Sequence, residues 1–100
     1  MKPTVLIHDV FPFEDNMNSG SAELKAIVNI ELPDLSLQIT GFQLIRYRAS
    51  RQWAICSPGA RSKNGNRVVF MRMNGDLAPA ILRAALPIYR KKLAEQQAAA

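Results

Sequence analysis

Arg46, Tyr47, Arg48, Arg51 and Trp53 crowd three guanidinium groups and two aromatic rings into eight residues. Guanidinium forks match the geometry of phosphate oxygens, and aromatic faces stack on unpaired bases, so this pairing of residue types suits nucleic-acid contact. The run lies inside a longer bias. From Asp34 to Asp76 no acidic residue intervenes, while Arg46, Arg48, Arg51, Arg61, Lys63, Arg67 and Arg72 fall in the gap. Residues 1–45 hold two basic and six acidic side chains, net −4, whereas residues 46–100 hold eleven basic and two acidic, net +9. Charge segregated in this way argues for a basic face that attracts phosphate backbones or an acidic protein partner.

The elements that must position these groups follow from periodicity. Thr4–Val10 is β-branched and apolar enough for a first strand that Pro12 ends, leaving residues 13–22 as a flexible acidic loop. Leu24, Ala26, Val28, Ile30 and Leu32 alternate with mostly polar neighbours, the signature of a half-buried strand, and Pro33-Asp34 makes a turn. The next strand changes phase, with Leu35, Leu37 and Ile39 at odd positions and Phe42 and Leu44 at even ones. A β-bulge at Thr40-Gly41 keeps both sets on one core.

Arg46-Tyr47-Arg48, the Ala49-Ser50 corner and Arg51–Cys56 read as a hairpin. A loop of two or four residues sets Arg46 opposite Trp53 and Arg48 opposite Arg51, gathering all four side chains on one face. A three-residue loop instead pairs Tyr47 with Trp53 and scatters them. Ser57-Pro58-Gly59 closes this strand, residues 60–66 form a basic loop with Asn64-Gly65 at its tip, and Arg67–Met73 is a further strand.

Asp76 is a plausible N-cap for a helix starting at Leu77 with Pro79 in its first turn. Ala78, Leu82, Ala85, Leu86, Tyr89 and Leu93 recur at helical spacing. Pro87 lacks an N–H and predicts a kink or break near 84–86, Arg90-Lys91-Lys92 complements the helix dipole, and residues 96–100 fray. The fold class is α+β, with an antiparallel sheet of about five strands followed by this C-terminal helix, in a single domain over residues 1–100.

Catalysis finds little footing. The chain has one histidine, His8, behind the apolar run Val5-Leu6-Ile7, and one cysteine, Cys56, inside the apolar run that starts at Trp53. Neither has a neighbour that would activate it, no pair has metal-ligand spacing, and no phosphate-binding glycine motif occurs. The expectation is a non-enzyme without cofactor, metal or small-molecule substrate. No apolar run reaches the roughly 18 residues of a membrane span, and the N-terminus lacks the pattern of a secretory signal. With a single cysteine unable to form an internal disulfide, the expected location is the cytoplasm, away from membranes.

Leu24–Ile30, Leu37–Ile45 with its Ile39-Thr40-Gly41-Phe42 centre, Trp53–Pro58 and the helical Ala85-Leu86-Pro87-Ile88-Tyr89 occur in an order that resembles the stage V sporulation protein G family. The resemblance covers roughly residues 4–93. It implies a homodimeric α+β regulator of DNA or RNA, with Arg61 and Lys63 at the family's nucleic-acid-contacting loop and Gly65 at its turn. The residues assigned to nucleic-acid contact are therefore Arg46, Arg48, Arg51, Trp53, Arg61, Lys63 and Arg67. The competing expectation is a protein-interaction adaptor that docks an acidic partner through this basic face or through a sheet edge.

Overall fold

Alternating strands need a second layer to bury their apolar face, and the amphipathic C-terminal segment supplies it. The structure, a computed structural model, describes residues 4–19, 22–61, 63–65, 67–69 and 71–99. The strands are β1 (Leu6–Ser19), β2 (Ala22–Leu32), β3 (Leu37–Tyr47), β4 (Trp53–Cys56), β5 (Gly59–Arg61) and β6 (Arg67–Val69), followed by helix α1 (Leu77–Ala99). β1 to β4 form an antiparallel sheet in chain order, and β5 and β6 pair separately. The architecture is thus α+β, with a four-stranded main sheet and a separate two-stranded ribbon where sequence predicted about five strands.

One face of the main sheet buries Val10, Ala26, Val28, Ile30, Leu32, Phe42, Leu44 and Ile55 against Ile81, Ala85 and Tyr89 of α1. The last three are spaced by four residues and form the innermost line of the helical stripe. Ile81, absent from the expected stripe, is fully buried, while Leu82, Leu86 and Leu93 are half-buried at the margins. Each large aliphatic side chain withdrawn here contributes about 1.5–3 kcal/mol of transfer free energy.

The phase change in β3 is a bulge, as expected. Val28 pairs with Phe42 and Ile30 with Ile39, so Thr40 and Gly41 insert one extra residue. Gly41 has φ +94, a left-handed conformation that glycine enters without the Cβ penalty, and Asn29 Oδ1 accepts its N–H at 3.1 Å. A second irregularity went unread in the sequence. Leu24 pairs with Ile45 and Ala26 with Leu44, so Lys25 is the extra residue on β2 and Leu24 leaves the buried face that Ala26 begins.

β1 continues beyond Pro12 to Ser19, where sequence predicted the flexible acidic loop 13–22. Pro12 is tolerated because β1 is an edge strand, and Met17, Asn18 and Ser19 regain pairing with Leu24, Glu23 and Ala22 after a register shift. Gly20 and Ser21 of that segment lie outside the described residues.

Asp76 occupies the N-cap position, its carbonyl accepting the first helical bond from Ala80 N–H at 2.9 Å. The expected break at Pro87 does not occur, since α1 is one continuous helix through it. Pro87 and Arg83 are both exposed, so the Arg83 carbonyl deprived of its partner faces water. The helix runs to Ala99, through the segment from residue 96 expected to fray, and Ala100 lies outside the described residues. Arg90–Lys92 consequently stand well before the final turn, too far for the dipole role expected of them. Lys92 instead ties the helix to the sheet edge. Its Nζ donates to the Val10 carbonyl on β1 at 3.0 Å and lies 5.8 Å from the centroid of Phe11.

Candidate nucleic-acid interface

The β3–β4 ladder runs from Gln43 opposite Cys56 to Arg46 opposite Trp53, which is the register that a two- or four-residue loop requires. The loop has four residues, Arg48–Arg51. Tyr47 N–H donates to the Gln52 carbonyl at 2.9 Å, and Arg51 N–H donates to the Tyr47 carbonyl at 2.8 Å. Arg51 takes φ +59, the left-handed conformation that reverses the chain, and Ala-Ser at the centre of the loop is thereby spared it. Arg48 and Arg51 accordingly begin and end the loop and do not form the further ladder rung that was expected. Arg46 Nε donates to the Arg51 carbonyl at 3.3 Å, and Gln52 N–H donates to Ser50 Oγ at 3.3 Å, bracing the tip.

Around this tip Arg46, Arg48 and Arg51, together with Tyr47 and Glu23, line an open concavity of about 360 Å³. Glu23 is the functional neighbour that the sequence reading missed. It sits 23 residues from Arg46 in the chain but opposite it across β2–β3, a relationship visible only once Lys25 is known to be a bulge. Lys25 Nζ donates to Glu23 Oε2 at 2.7 Å, and Arg48 Nε lies 3.6 Å from Oε1. The Lys25 hydrogen bond is the chief reason the Glu23 carboxyl is held below the usual carboxylate range. Partial desolvation opposes that shift, and the charges of Lys25, Arg48 and Arg46 add to it. The concavity therefore has three guanidinium groups and one carboxylate already engaged by cations.

Trp53 is not the free stacking platform that the sequence suggested. Its row of the sheet belongs to the face that α1 covers, and the indole packs at the core margin with its centroid 5.5 Å from Tyr89, the planes inclined by 59°. Arg46 Cζ lies over the ring at 5.3 Å from the centroid, within cation–π range. Tyr47, one residue along, is 40% exposed.

The other assigned residues stand on the second hairpin. Arg61 closes β5 and pairs with Arg67, which opens β6, while Lys63 is exposed in the intervening turn beside Gly65 at φ +82. The expected basic loop is thus partly strand. Of the expected strand 67–73 the structure describes Arg67–Val69 as β6 and Met71, Arg72 and Met73 as outside any strand, while Phe70 lies outside the described residues. Ser62 and Asn66 of that loop lie outside the described residues. Arg46, Arg48, Arg51 and Trp53 are brought together by one hairpin, and Arg61, Lys63 and Arg67 by another in a separate sheet.

The titratable residues outside the basic cluster are dispersed. His8 Nε2 and Glu31 Oε1 are hydrogen-bonded at 2.6 Å on the surface. Cys56 is a half-buried free thiol on β4. Among the described residues no three histidine, cysteine or carboxylate side chains cluster as metal ligands would, and no helix is long and apolar enough to cross a membrane.

No protein-family model matches the chain, and neither the curated proteins nor the solved structures provide a significant match. The resemblance to the stage V sporulation protein G family consequently rests on the short motifs that carry it.

Proposed function

We propose that this protein binds nucleic acid, DNA or RNA, through phosphate contacts made by Arg46, Arg48 and Arg51 at the β3–β4 hairpin, extended by Arg61, Lys63 and Arg67 of the β5–β6 hairpin. The observation that carries this reading is the convergence of three guanidinium groups on one open concavity opposed, among the described residues, by the Glu23 carboxylate. Like charges held together at a loop tip repel, and a bound phosphate relieves that repulsion. The wider reading is a regulatory homodimer, as the family resemblance implies, placed in the cytoplasm by its single cysteine.

Fluorescence anisotropy with labelled single-stranded and duplex DNA and RNA tests this. Affinity should fall steeply with salt, the log–log slope growing by roughly 0.7–0.9 for each phosphate engaged. An Arg48→Glu/Arg51→Glu variant that melts like the parent should lose binding and flatten the slope. Salt-independent binding, or undiminished binding by this variant, removes the hairpin from the interface.

The sheet order favours one second reading. β4 is an edge strand, so a partner strand can add beside it while the neighbouring arginines meet acidic side chains. A partner that stays bound after nuclease treatment, and is lost with a proline in β4, supports the adaptor reading over the first.

A further inference from the structure

The end of the main sheet remote from the arginine hairpin carries a site of opposite character. An open groove of about 420 Å³ lies between the turn after β2 and the start of α1, walled by Leu32, Leu35 and Leu77 and edged by Asp34 and Asp76. Leu35, 69% exposed, and Leu37, 44% exposed, leave apolar surface uncovered at this end. Exposed apolar surface bordered by charge is the mark of an interaction site, and the volume falls in the range that takes one large side chain or small ligand. Two carboxylates beside leucine walls select an occupant with an apolar or aromatic body flanked by cations.

The chain itself presents such a group. Tyr47 stands exposed between Arg46 and Arg48, with Arg51 closing the same loop. It cannot fill its own groove. β3 starts at Leu37 beside the groove and ends at Tyr47 at the hairpin, so about 33 Å of strand separates the two sites. The two ends of β3 thus differ in character, with Asp34, Asp76 and leucines at one and Arg46, Arg48, Arg51 and Tyr47 around Glu23 at the other.

We propose that the groove edged by Asp34 and Asp76 receives the β3–β4 hairpin of a second copy of this chain, Tyr47 entering between the leucines and Arg48 and Arg51 facing the carboxylates. The contact joins two different surfaces, so it is heterologous and adds copies head to tail, separately from any two-fold contact of the homodimer reading. This assembly does not rest on the nucleic-acid reading, although both use Arg48 and Arg51 and therefore compete.

Sedimentation velocity on nucleic-acid-free protein over a concentration series, at low and at high salt, tests the proposal. The expected result is an average mass that climbs past the dimer with concentration and falls with salt. Asp34→Arg/Asp76→Asn, in which Asn keeps the N-cap, reverses the groove's charge. Arg48→Glu/Arg51→Glu reverses the hairpin's. Neither variant alone should gain mass with concentration, and mixing the two should restore that growth, because each then offers the other complementary ends. Leu35→Ser, at an exposed position that cannot unfold the core, should also abolish association. A wild-type mass that stays at monomer or dimer across the concentration series overturns the proposal, as does association indifferent to Leu35→Ser and to both charge reversals. Failure of oligonucleotide binding leaves this result untouched, so the two readings fall separately.

Discussion

Arg46 and Trp53 face each other on the last rung of the β3–β4 ladder, with the guanidinium carbon 5.3 Å from the centre of the indole. The contact covers the aromatic surface that a nucleic-acid base would otherwise use, and it ties the basic concavity to the core through Tyr89.

Arg46→Ala should therefore act on both stability and optics. Loss of the cation–π contact costs about 0.5–1 kcal/mol in urea denaturation. Trp53 is the sole tryptophan, so its emission reports the site without labelling. The expected outcome is a red shift in Arg46→Ala and a change in wild-type emission on oligonucleotide binding that this variant lacks. An unchanged spectrum in both experiments would place Arg46 away from the indole in solution.

Glu23→Gln should tighten nucleic-acid binding. The carboxylate now holds Lys25 and Arg48, and a phosphate must compete with it. Partner pairs this exposed are worth little, so the gain is roughly two- to fivefold in Kd, read by anisotropy at low salt. A loss of affinity would mean that Glu23 orients Arg48 for the ligand.

The same carboxyl sets an acid response. Its folded pKa is depressed, so its stabilising contribution is complete above the usual value of 4.5 and disappears as pH falls through the lower folded value. Wild type should lose stability below about pH 4.5, and Glu23→Gln should lose less over that interval. Parallel melting curves down the pH series would assign the acid sensitivity to other carboxylates.

Gly41→Ala should destabilise by about 1–2 kcal/mol for conformational reasons, since a Cβ there would meet only Pro58 Cβ at an ordinary 3.9 Å while φ stays at +94. Asn29→Ala strands the Gly41 N–H and should cost about 1 kcal/mol. Chemical denaturation of the double mutant should show a deficit smaller than the sum, because both changes loosen one bulge.

Pro87→Ala should stabilise. An interior proline is worth up to ~3 kcal/mol less than alanine in a helix, and exposure of Pro87 leaves no packing to lose. A gain of about 1–3 kcal/mol in thermal or urea unfolding is expected. A loss would show that the ring fits a contact that alanine cannot make.

What could be read from the chain alone was whatever depends on near neighbours. Alternation from Ala26 to Leu32 and the phase change at Thr40-Gly41 follow from side-chain direction along a few residues of backbone, and the start of α1 at Leu77 from its neighbour Asp76. The hairpin register, by contrast, stayed open between Arg46–Trp53 and Tyr47–Trp53 until its four-residue loop selected the first. Tertiary structure decided the rest, because it turns on groups distant in sequence. The Lys25 bulge turns Leu24 away from the core and brings Glu23 opposite Arg46. Pairing with β2 extends β1 past Pro12, and exposure of Arg83 lets α1 continue through Pro87. Tyr89, arriving 36 positions after Trp53, occupies the ring that the local pattern had left for a base. Segregated charge was legible in composition, but the grouping of Asp34 with Asp76 at one end of β3 and of Arg48 and Arg51 with Glu23 at the other cuts across that division and required the strand to be laid out in space.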